Sequence, residues 1–471
     1  MSIITFIILC TTIYYTESTV YDITSSTSNW QSILSNLKAG DIVTIHQGTY
    51  TTAGSGYFQL TLNGQLTQPI IIQGASNEAR PIIQSPQAGA NVQNILNIQG
   101  SNFMLKHLSF TRGSRGIRLG PATTSNAIFD DIYIYDTTGT AFSANDAGNE
   151  YFNITLRNSE IKNTNALGAT TGECVYFGCV NDACRVRDSL LEHNYCHDTL
   201  GSQGGARAAF QVKSGSYNVI IRNNACYKVV GPCIVVYDDY NRGRNLIIGN
   251  LAINAGTADL GIQCTSGATI TNNIVINASK YDLQLIPLNP SRPDLAGIGV
   301  IQNSIYPVVG YIRNVTINQN TVYMSQADAC LRLNGLTNNN ILIANNVLYC
   351  GNQKSITSAT NLAGYPIYNN AVNGPIGASG IQSNGIFTVE NNVFADVNNF
   401  NFYPATGSLL IKAGAYLENH HVAYDFNGKQ RSKTTPTVGA YEFSTTTNPG
   451  CSITKNFKCG SSTAVVPNFS I

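Results

Sequence analysis

Short apolar segments recur along the whole chain, and one or two asparagines stand inside many of them. Examples are IIRNNACYKVV at residues 220–230, ATITNNIVINA at 268–278 and ILIANNVLYC at 341–350. The segments are only a few residues long, rich in β-branched residues and bounded by Gly, Asn and Asp, a pattern typical of β-strands joined by turns. We therefore predict many short strands and little helix.

The residues that open these segments follow one another at a regular spacing. Aligned on that position, they are His107, Asp131, Asn158, Asn194, Asn224, Asn250, Asn273, Asn320, Asn346 and Asn392. Most steps are 23 to 36 residues long, and two steps are 47 and 46 residues long. Because the long steps are about twice the shortest one, we interpret each of them as skipping one rung of a repeat.

A repeat of this length holds three short strands and their turns, which make one coil of a parallel β-helix. Successive coils stack about 4.8 Å apart, so equivalent residues form ladders along the axis. Asn tolerates left-handed turn geometry, and its amide can bond the coils above and below it. We therefore interpret most of the asparagines as structural and assign them no chemistry.

Both ends of the repeat carry patterns of their own. Trp30, Ile33, Leu34 and Leu37 have helical spacing and predict a short helix that caps the first coil. The following AGDIVTIHQGTY, at 39–50, resembles the opening strand of secreted right-handed β-helix proteins of the pectate-lyase-like superfamily. YDFNGKQRSKTTPTVGAYEF, at 424–443, resembles their closing segment, Asp-x-x-Gly-x-x-Arg followed by Gly-Ala-Tyr-Glu. The resemblance implies an all-β fold over residues 20–445, a right-handed parallel β-helix with a short N-terminal capping helix and a cap at its far end.

The first residues predict a secretory signal peptide at 1–19, because an apolar run from Ile3 to Cys10 is followed by small and polar residues. No other apolar run approaches the roughly 18 residues of a membrane span. Residues 446–471 form a C-terminal tail without the apolar stretch of a lipid-anchor signal. We therefore expect a secreted, extracellular protein.

The cysteines agree with an oxidising compartment. Of the 12 in the chain, one lies in the signal peptide, and we expect the rest to form disulfides with one left over. A zinc site would need closer spacing than the steps of five, five and twelve residues between Cys174 and Cys196. Four sequons, which begin at Asn153, Asn277, Asn314 and Asn468, predict a glycoprotein.

Charge narrows the function classes. Only 11% of the residues are charged, against about 25% in typical domains, and the net charge is +1. Neither nucleic acid nor a membrane surface is an expected partner, and we expect a monomer. The sparse charges concentrate between Glu173 and Arg244, where the spacing between rungs also lengthens. Loops inserted beside a charged strip predict a groove wall.

The stretch GGARAAFQVKSGSYNVIIRNN, at 204–224, resembles the active-site coil of the chondroitinase B and alginate lyase family. The resemblance implies β-elimination from a uronate polysaccharide, with Lys213 as the base and calcium or cations neutralising the enolate. This chain departs from the family pattern at three places. The two calcium-ligand glutamates fall at or near Ala206 and Ala208, and the expected arginine falls near Ile234. Calcium is therefore left open as a cofactor, and no metal ligands are assigned.

Other candidate residues come from the residues themselves. Arg207, Arg242 and Arg244 are candidates to neutralise the carboxylate beside Lys213, and His197 is a candidate acid or base. At a period of two, His193, Tyr195 and His197 are expected on one side of a strand. The candidates for substrate binding are Glu173, His193, Tyr237, Asp238 and Asp239. Tyrosine rings among these charges can stack on sugar rings.

The sequence thus predicts a secreted β-helix that cleaves or binds an extracellular, uronate-containing polysaccharide. If the protein is an enzyme, we expect a polysaccharide lyase. One alternative is a non-catalytic carbohydrate-binding protein of a cell wall, matrix or cell surface. The other is a glycoside hydrolase that uses Asp238 and Asp239 as its paired carboxylates.

Overall fold

A computed structural model describes residues 18–53, 57–87, 92–165, 171–200, 208–255, 261–277, 296–301, 312–325 and 329–445. The predicted signal peptide up to residue 17, the tail at 446–471 and Arg207 lie outside the described residues. Within them, the chain forms a parallel β-helix, as the spacing of its strands predicted. Three sheets, numbered 1 to 3 below, run the length of the helix, and each coil adds one strand to each sheet.

Almost every strand pairs in parallel with the equivalent strands of the coils before and after it. Sheet 1 contains Phe58–Asn63, Phe142–Ala144, Val175–Phe177, Phe210–Val212, Ile234–Val236, Ile262–Cys264, Ala296–Ile301, Ala329–Asn334, Lys354–Ser358 and Ile376–Gly377. Sheet 2 contains Val20–Ile23, Ile42–Ile45, Ile70–Gly74, Glu150–Arg157, Arg185–Glu192, Tyr217–Arg222, Asn245–Ile248, Ala268–Thr271, Ile312–Asn318, Leu336–Ala344 and Ile367–Tyr368. Sheet 3 contains Thr49–Thr51, Ile82–Gln84, Glu160–Lys162, Tyr195–His197, Ala225–Tyr227, Leu251–Ile253, Ile274–Ile276, Thr321–Tyr323, Val347–Tyr349, Asn370–Asn373 and Ile386–Thr388. The long strands Leu96–Thr111 and Ile117–Tyr135 turn both corners and contribute to all three sheets.

The core lies inside the coils because successive residues of a strand point to opposite faces. The apolar residues of each short strand point inward, and the residues that alternate with them point outward. In sheet 1, for example, Phe142, Val175, Phe210 and Ile234 are in register and fully buried. The residues that follow them on their strands face outward and form a row along the helix axis. This row holds the candidate site described below.

The buried asparagines form a hydrogen-bonded ladder at the start of sheet 3. Its rungs are Asn194, Asn224, Asn250, Asn273, Asn320, Asn346 and Asn370. The side-chain amide nitrogen of each rung donates to the amide oxygen of the next rung, and that oxygen also accepts the backbone N–H of the same donor residue. Asn224, for example, donates to the Asn250 oxygen from both nitrogens at 3.0 Å. The structural interpretation of the asparagines is therefore confirmed.

Four of the ten residues that the sequence pattern aligned as equivalent positions are not members of this ladder, and one of the two long steps was misinterpreted. His107, Asp131 and Asn158 belong to the neighbouring corner position, where His193 and Asn223 also have positive φ, and Asn392 lies outside the ladder. The step of 47 residues skips no rung, because Asn273 donates directly to Asn320 at 3.0 Å. The second long step concealed a rung, which is Asn370.

The predicted capping helix is present as Trp30–Ser35. Its buried residues are Trp30 and Leu34, and the Trp30 ring packs edge-on against Tyr50 and Phe58 at 5.8 and 5.6 Å. Among the described strands, Phe58–Asn63 pairs only with the following coil, through Leu96–Thr111. The helix therefore covers the apolar side chains of the first strand of sheet 1.

The closing segment does not cap the last coil as predicted. The last parallel strand is Ile386–Thr388, and the chain then forms the antiparallel hairpin of Phe394–Asp396 and Asn401–Pro404. From there it returns along the outside of the helix, where Arg431 donates to Asn272 at 2.7 Å and to the Gly439 carbonyl at 2.8 Å. Its aromatic residues, Phe426 and Tyr441, pack on the outer side of sheet 3. The segment closes a flank of the solenoid instead of its end.

Four disulfides join Cys174 to Cys196, Cys179 to Cys184, Cys226 to Cys233 and Cys330 to Cys350. Cys264 is buried and unbridged, while Cys451 and Cys459 lie outside the described residues. Disulfides in this number are typical of proteins that fold in an oxidising compartment. No helix within the described ranges is long and apolar enough to cross a membrane.

Candidate active site

The candidate site lies on the outer side of sheet 1. The middle residues of its strands, Ser143, Tyr176, Gln211 and Val235, are in register and form an outward row that crosses four coils. Lys213 follows the strand Phe210–Val212 directly. Because Val212 points into the core, Gln211 and Lys213 point to the same outer side.

Lys213 is enclosed by aromatic rings. Its Nζ lies 4.6 Å from the centre of the Tyr237 ring and 5.2 Å from that of Tyr176. The residue is only 2% exposed. Burial lowers the pKa of Lys213 to about 8, and the nearby charge of Glu173 opposes this shift. A lysine with a pKa near neutrality can accept a proton under physiological conditions, which an exposed lysine cannot do.

Glu173 is the acidic partner of this lysine. It lies on the coil before Lys213 and is completely buried. Its Oε2 accepts hydrogen bonds from the Thr140 hydroxyl at 2.7 Å and from the Gly172 N–H at 3.0 Å. Burial raises the pKa of the Glu173 carboxyl, while these hydrogen bonds and the charge of Lys213 oppose the shift. The structure thus places Lys213 and Glu173 in one buried cluster.

The register also shows what lies next to Lys213 on the following coil. The Tyr237 N–H donates to the Val212 carbonyl at 2.9 Å, so Tyr237 is the stacked neighbour of Lys213. Counting along the sequence had pointed to Ile234 as the position of the arginine expected from the family, but Ile234 is buried in the core. A tyrosine stands in the stacking position instead. Tyr237, predicted to bind substrate, does therefore belong to the cluster.

The predicted arginines are directed elsewhere. Arg242 pairs with Asp182 at 2.7 Å and donates to the Gly215 carbonyl at 3.2 Å. Arg244 donates to the hydroxyls of Thr269 and Thr316, which lie on sheet 2. Neither arginine is among the causes that shift the pKa of Lys213.

The predicted histidines lie on a different face. His197 is on sheet 3, where it contacts Glu160 at 3.2 Å and Asp198 at 2.7 Å and stacks on Tyr195. These carboxylates raise the pKa of His197, although burial opposes them. His193 occupies a corner with φ of 52° and lies 3.3 Å from the Asn223 amide. The expectation that His193 faces the same way as Tyr195 and His197 was wrong, because the chain turns at His193.

Asp238 and Asp239 directly follow Tyr237 but are bound to another partner. Arg313 contacts Asp238 at 2.8 Å and Asp239 at 3.5 Å, and both aspartates are almost fully buried. Burial and the neighbouring Asp238 raise the pKa of Asp239. Both carboxylates are thus engaged by Arg313 within the protein, whereas the paired carboxyls of glycosidases flank a bound sugar.

Three nearby polar residues were not predicted. Gln211 is completely buried on the same side as Lys213, and Ser143 is buried two coils away in the same row. Arg115 lies close enough to Glu173 and Tyr176 for their charges to raise its pKa, although burial and Arg118 lower it overall. Gln211 was detectable from the sequence, since it precedes Lys213 by two residues on one strand. Arg115 is brought to the site only by the stacking of coils.

The donor set does not fit the calcium site of the resembled family. Ala208 is buried and has no ligand atom in its side chain, and Ala206 lies outside the described residues. Within the described part of the chain, no three His, Cys, Asp or Glu side chains are grouped so that they could hold a metal ion.

No protein-family model matches the sequence, and no curated protein matches it. The chain is structurally similar to polysaccharide family 6 alginate lyases and to pectate lyase Pel9A. The crystal structure of Pel9A has a TM-score of 0.49 and 13% identity, over 90% of this chain and 97% of that one. The alginate lyase from Paenibacillus sp. str. FPU-7 has a TM-score of 0.45 and 19% identity, over 76% of this chain and 99% of that one. A mannuronic acid-specific family 6 lyase from human gut microbiota has a TM-score of 0.49 and 16% identity, over 76% and 82%. This likeness concerns the fold alone.

Proposed function

We propose that the protein is a secreted lyase that cleaves a uronate-containing polysaccharide by β-elimination, with Lys213 as the catalytic base. One observation carries the proposal. Lys213, which the sequence resemblance implies as the base, is enclosed by two tyrosine rings and has a pKa of about 8.

The reaction balances without a co-reactant. The Lys213 amine takes the proton from the carbon beside the sugar carboxylate, and the resulting electron pair forms a carbon–carbon double bond as the glycosidic C–O bond breaks. The departing oxygen takes the proton from the Lys213 ammonium. Lysine is thus regenerated, and the new chain end carries an unsaturated uronate.

Glu173 influences the protonation of the base: its charge favours the protonated form of Lys213, and protonation of Glu173 removes this effect. A buried amine and a buried carboxyl that share one proton avoid two separate desolvated charges. When the proton lies on Glu173, Lys213 is uncharged and can act as a base. Since Lys213 is only 2% exposed, turnover requires a conformation in which Nζ is accessible to the sugar.

This burial is also the observation that favours the second candidate, a carbohydrate-binding protein without catalysis. The two candidates differ in one product. A lyase generates unsaturated uronates, which absorb in the ultraviolet, whereas a binding protein leaves the polymer intact.

The first experiment incubates the purified protein with a panel of uronate polysaccharides and follows the ultraviolet absorbance. We expect absorbance to increase with at least one polymer, and Lys213→Ala to lower the rate by about 10²- to 10⁴-fold, the usual contribution of a general base. Lys228→Ala is the matched control, because Lys228 also lies over a tyrosine ring, Tyr227, but on sheet 3.

Binding to a polymer without any unsaturated product would reject the lyase and leave the binding protein. Full activity in Lys213→Ala would remove Lys213 from the catalytic role even if the lyase activity itself is found.

A further inference from the structure

Removal of a proton beside a carboxylate requires a group that neutralises the carboxylate as negative charge develops on it. Arg242 and Arg244 are directed to other partners, and Arg207 lies outside the described residues. Nor do the described residues offer a calcium site. Within the described part of the chain, two other buried polar side chains flank Lys213.

Gln211 is the first of these side chains. Its side chain is completely buried on the same side of the strand as Lys213. Both its amide nitrogen and its amide oxygen are buried, and neither has a hydrogen-bond partner among the described residues. Its in-register neighbour is Tyr176, whose ring lies under the Lys213 ammonium.

Glu173 is the second of these side chains. Its Oε2 accepts hydrogen bonds from Thr140 and Gly172, whereas its Oε1 is buried and has no hydrogen-bond partner in the described part of the chain. Burial raises the pKa of this carboxyl, which favours its protonated form. A carboxyl kept neutral in a buried site can donate a hydrogen bond from its unoccupied oxygen to an anionic ligand.

Buried polar atoms without partners are rare in folded proteins because each of them has lost its hydrogen bonds to water. Here they occur on two residues that flank the same lysine. Such atoms are satisfied if a ligand supplies the missing partners. A sugar carboxylate supplies acceptors for the Gln211 nitrogen and for a protonated Glu173, and its ring hydroxyls can donate to the Gln211 oxygen.

We propose that Gln211 and Glu173 form the subsite that binds and neutralises the sugar carboxylate while Lys213 removes the neighbouring proton, so that no metal ion is needed. This inference rests on the proposed function, but it assigns a different step and different residues. Gln211 and Glu173 act on the carboxylate by hydrogen bonding, and neither gains nor loses a covalent bond other than to hydrogen.

The test measures binding in the presence of a metal chelator. The ligands are alginate and polygalacturonate oligosaccharides, each compared with the same oligosaccharide after its carboxyl groups have been reduced to alcohols. We expect Gln211→Leu to weaken binding of the acidic oligosaccharide by about tenfold or more, since one hydrogen bond to a charged group is lost. Its affinity for the reduced oligosaccharide should fall much less, because that ligand loses only a hydrogen bond between neutral groups.

Stability provides the second readout. Because Gln211→Leu removes two unpartnered buried atoms and keeps a similar volume, we expect the melting temperature to stay the same or rise. A structural role of Gln211 would lower it instead. Gln263→Leu is the matched control, since Gln263 occupies the same row two coils away, and it should leave binding unchanged.

Glu173 is tested by two substitutions. Glu173→Gln keeps a neutral donor and should retain binding of the acidic oligosaccharide in the chelator, whereas Glu173→Leu should lose it. If both bind equally well, Glu173 does not contact the carboxylate.

The outcomes separate this proposal from the proposed function. If Gln211→Leu weakens binding of the acidic and the reduced oligosaccharides equally, or weakens neither, the proposed subsite is wrong. The unpartnered atoms would then be bound by water only. Loss of all binding on chelation would overturn it as well. If the wild-type protein binds acidic oligosaccharides through Gln211 but releases no unsaturated product, the subsite stands and the lyase does not.

Discussion

At the scale of single residues, the site depends on one buried lysine. Tyrosine rings exclude water from Lys213, and water is what normally stabilises an ammonium group. The same rings offer it a modest cation–π attraction. Desolvation by burial prevails over the charge of Glu173, so the pKa of Lys213 falls to about 8 from an ordinary value of 10.5.

This shift predicts the pH dependence of turnover. The base form of Lys213 is required, so kcat/KM should increase with pH through an apparent pKa of about 8 and fall again where Glu173 loses the proton that it donates to the sugar carboxylate. The measurement is a pH profile of kcat/KM on the polymer that the wild-type protein cleaves. A rate that continues to rise up to the pKa of an ordinary lysine would show that the base is exposed during turnover.

Part of this candidate site could be predicted from the amino-acid sequence, and the rest depends on how the coils stack. Lys213 and Tyr237 could be predicted because a short local motif and its spacing pointed to them. The association of Lys213 with Glu173 could not, since it depends on which residues of separate coils stack in register. For the same reason, the partners of Arg242 and Arg244, which are Asp182 and Thr269, could not be predicted, and Gln211 was overlooked beside Lys213.

At the scale of the strand and its corner, the asparagine ladder holds the coils in register. Each amide replaces a hydrogen bond that the backbone cannot make where the chain turns into sheet 3. Asn250 illustrates this, since its oxygen accepts from the Asn224 N–H at 3.0 Å and its nitrogen donates to the Ile221 carbonyl at 2.8 Å. Removal of one rung leaves buried donors and acceptors on both neighbouring coils.

We therefore expect Asn250→Ala to lower the free energy of unfolding by about 1–3 kcal/mol or more, as expected for buried groups left unpaired. Urea-induced unfolding provides the measurement. Asn340→Ala is the control, since Asn340 is an exposed corner residue whose amide donates to Asn314, and it should change stability much less. If the two substitutions lower the free energy of unfolding equally, the buried hydrogen bonds of the ladder do not contribute more to stability than an exposed one.

At the scale of the whole molecule, the repeat could be predicted from the sequence but its ends could not. The same strand pattern recurs in every coil, so its regular spacing in the sequence is enough to predict a parallel β-helix. The closing segment occurs once, and nothing in its residues says whether it covers an end or a flank. The closing segment returns along the helix, because its Arg431 donates a hydrogen bond to Asn272, a corner residue well before the last coil.

The disulfides reinforce this molecule within single coils. The bridge from Cys174 to Cys196 spans 22 residues and joins the strand region of sheet 1 to that of sheet 3. Replacement of both cysteines by alanine should lower stability by about 2–4 kcal/mol, as for loops of this size. Thermal unfolding of this variant can be compared with that of Cys264→Ala, which removes only a buried thiol. A loss no larger than that of Cys264→Ala would show that the bridge contributes little.

The direct hydrogen bond between Asn273 and Asn320 has a consequence for how such a chain can change over time. These two residues are 47 positions apart in sequence, yet they are neighbours in the ladder, as are Asn250 and Asn273, which are only 23 positions apart. The length of a coil is thus independent of its rise along the axis. Insertions at a turn can enlarge the surface beside the outward row of sheet 1 while the strands below keep their register, so substrate preference can evolve without refolding the scaffold.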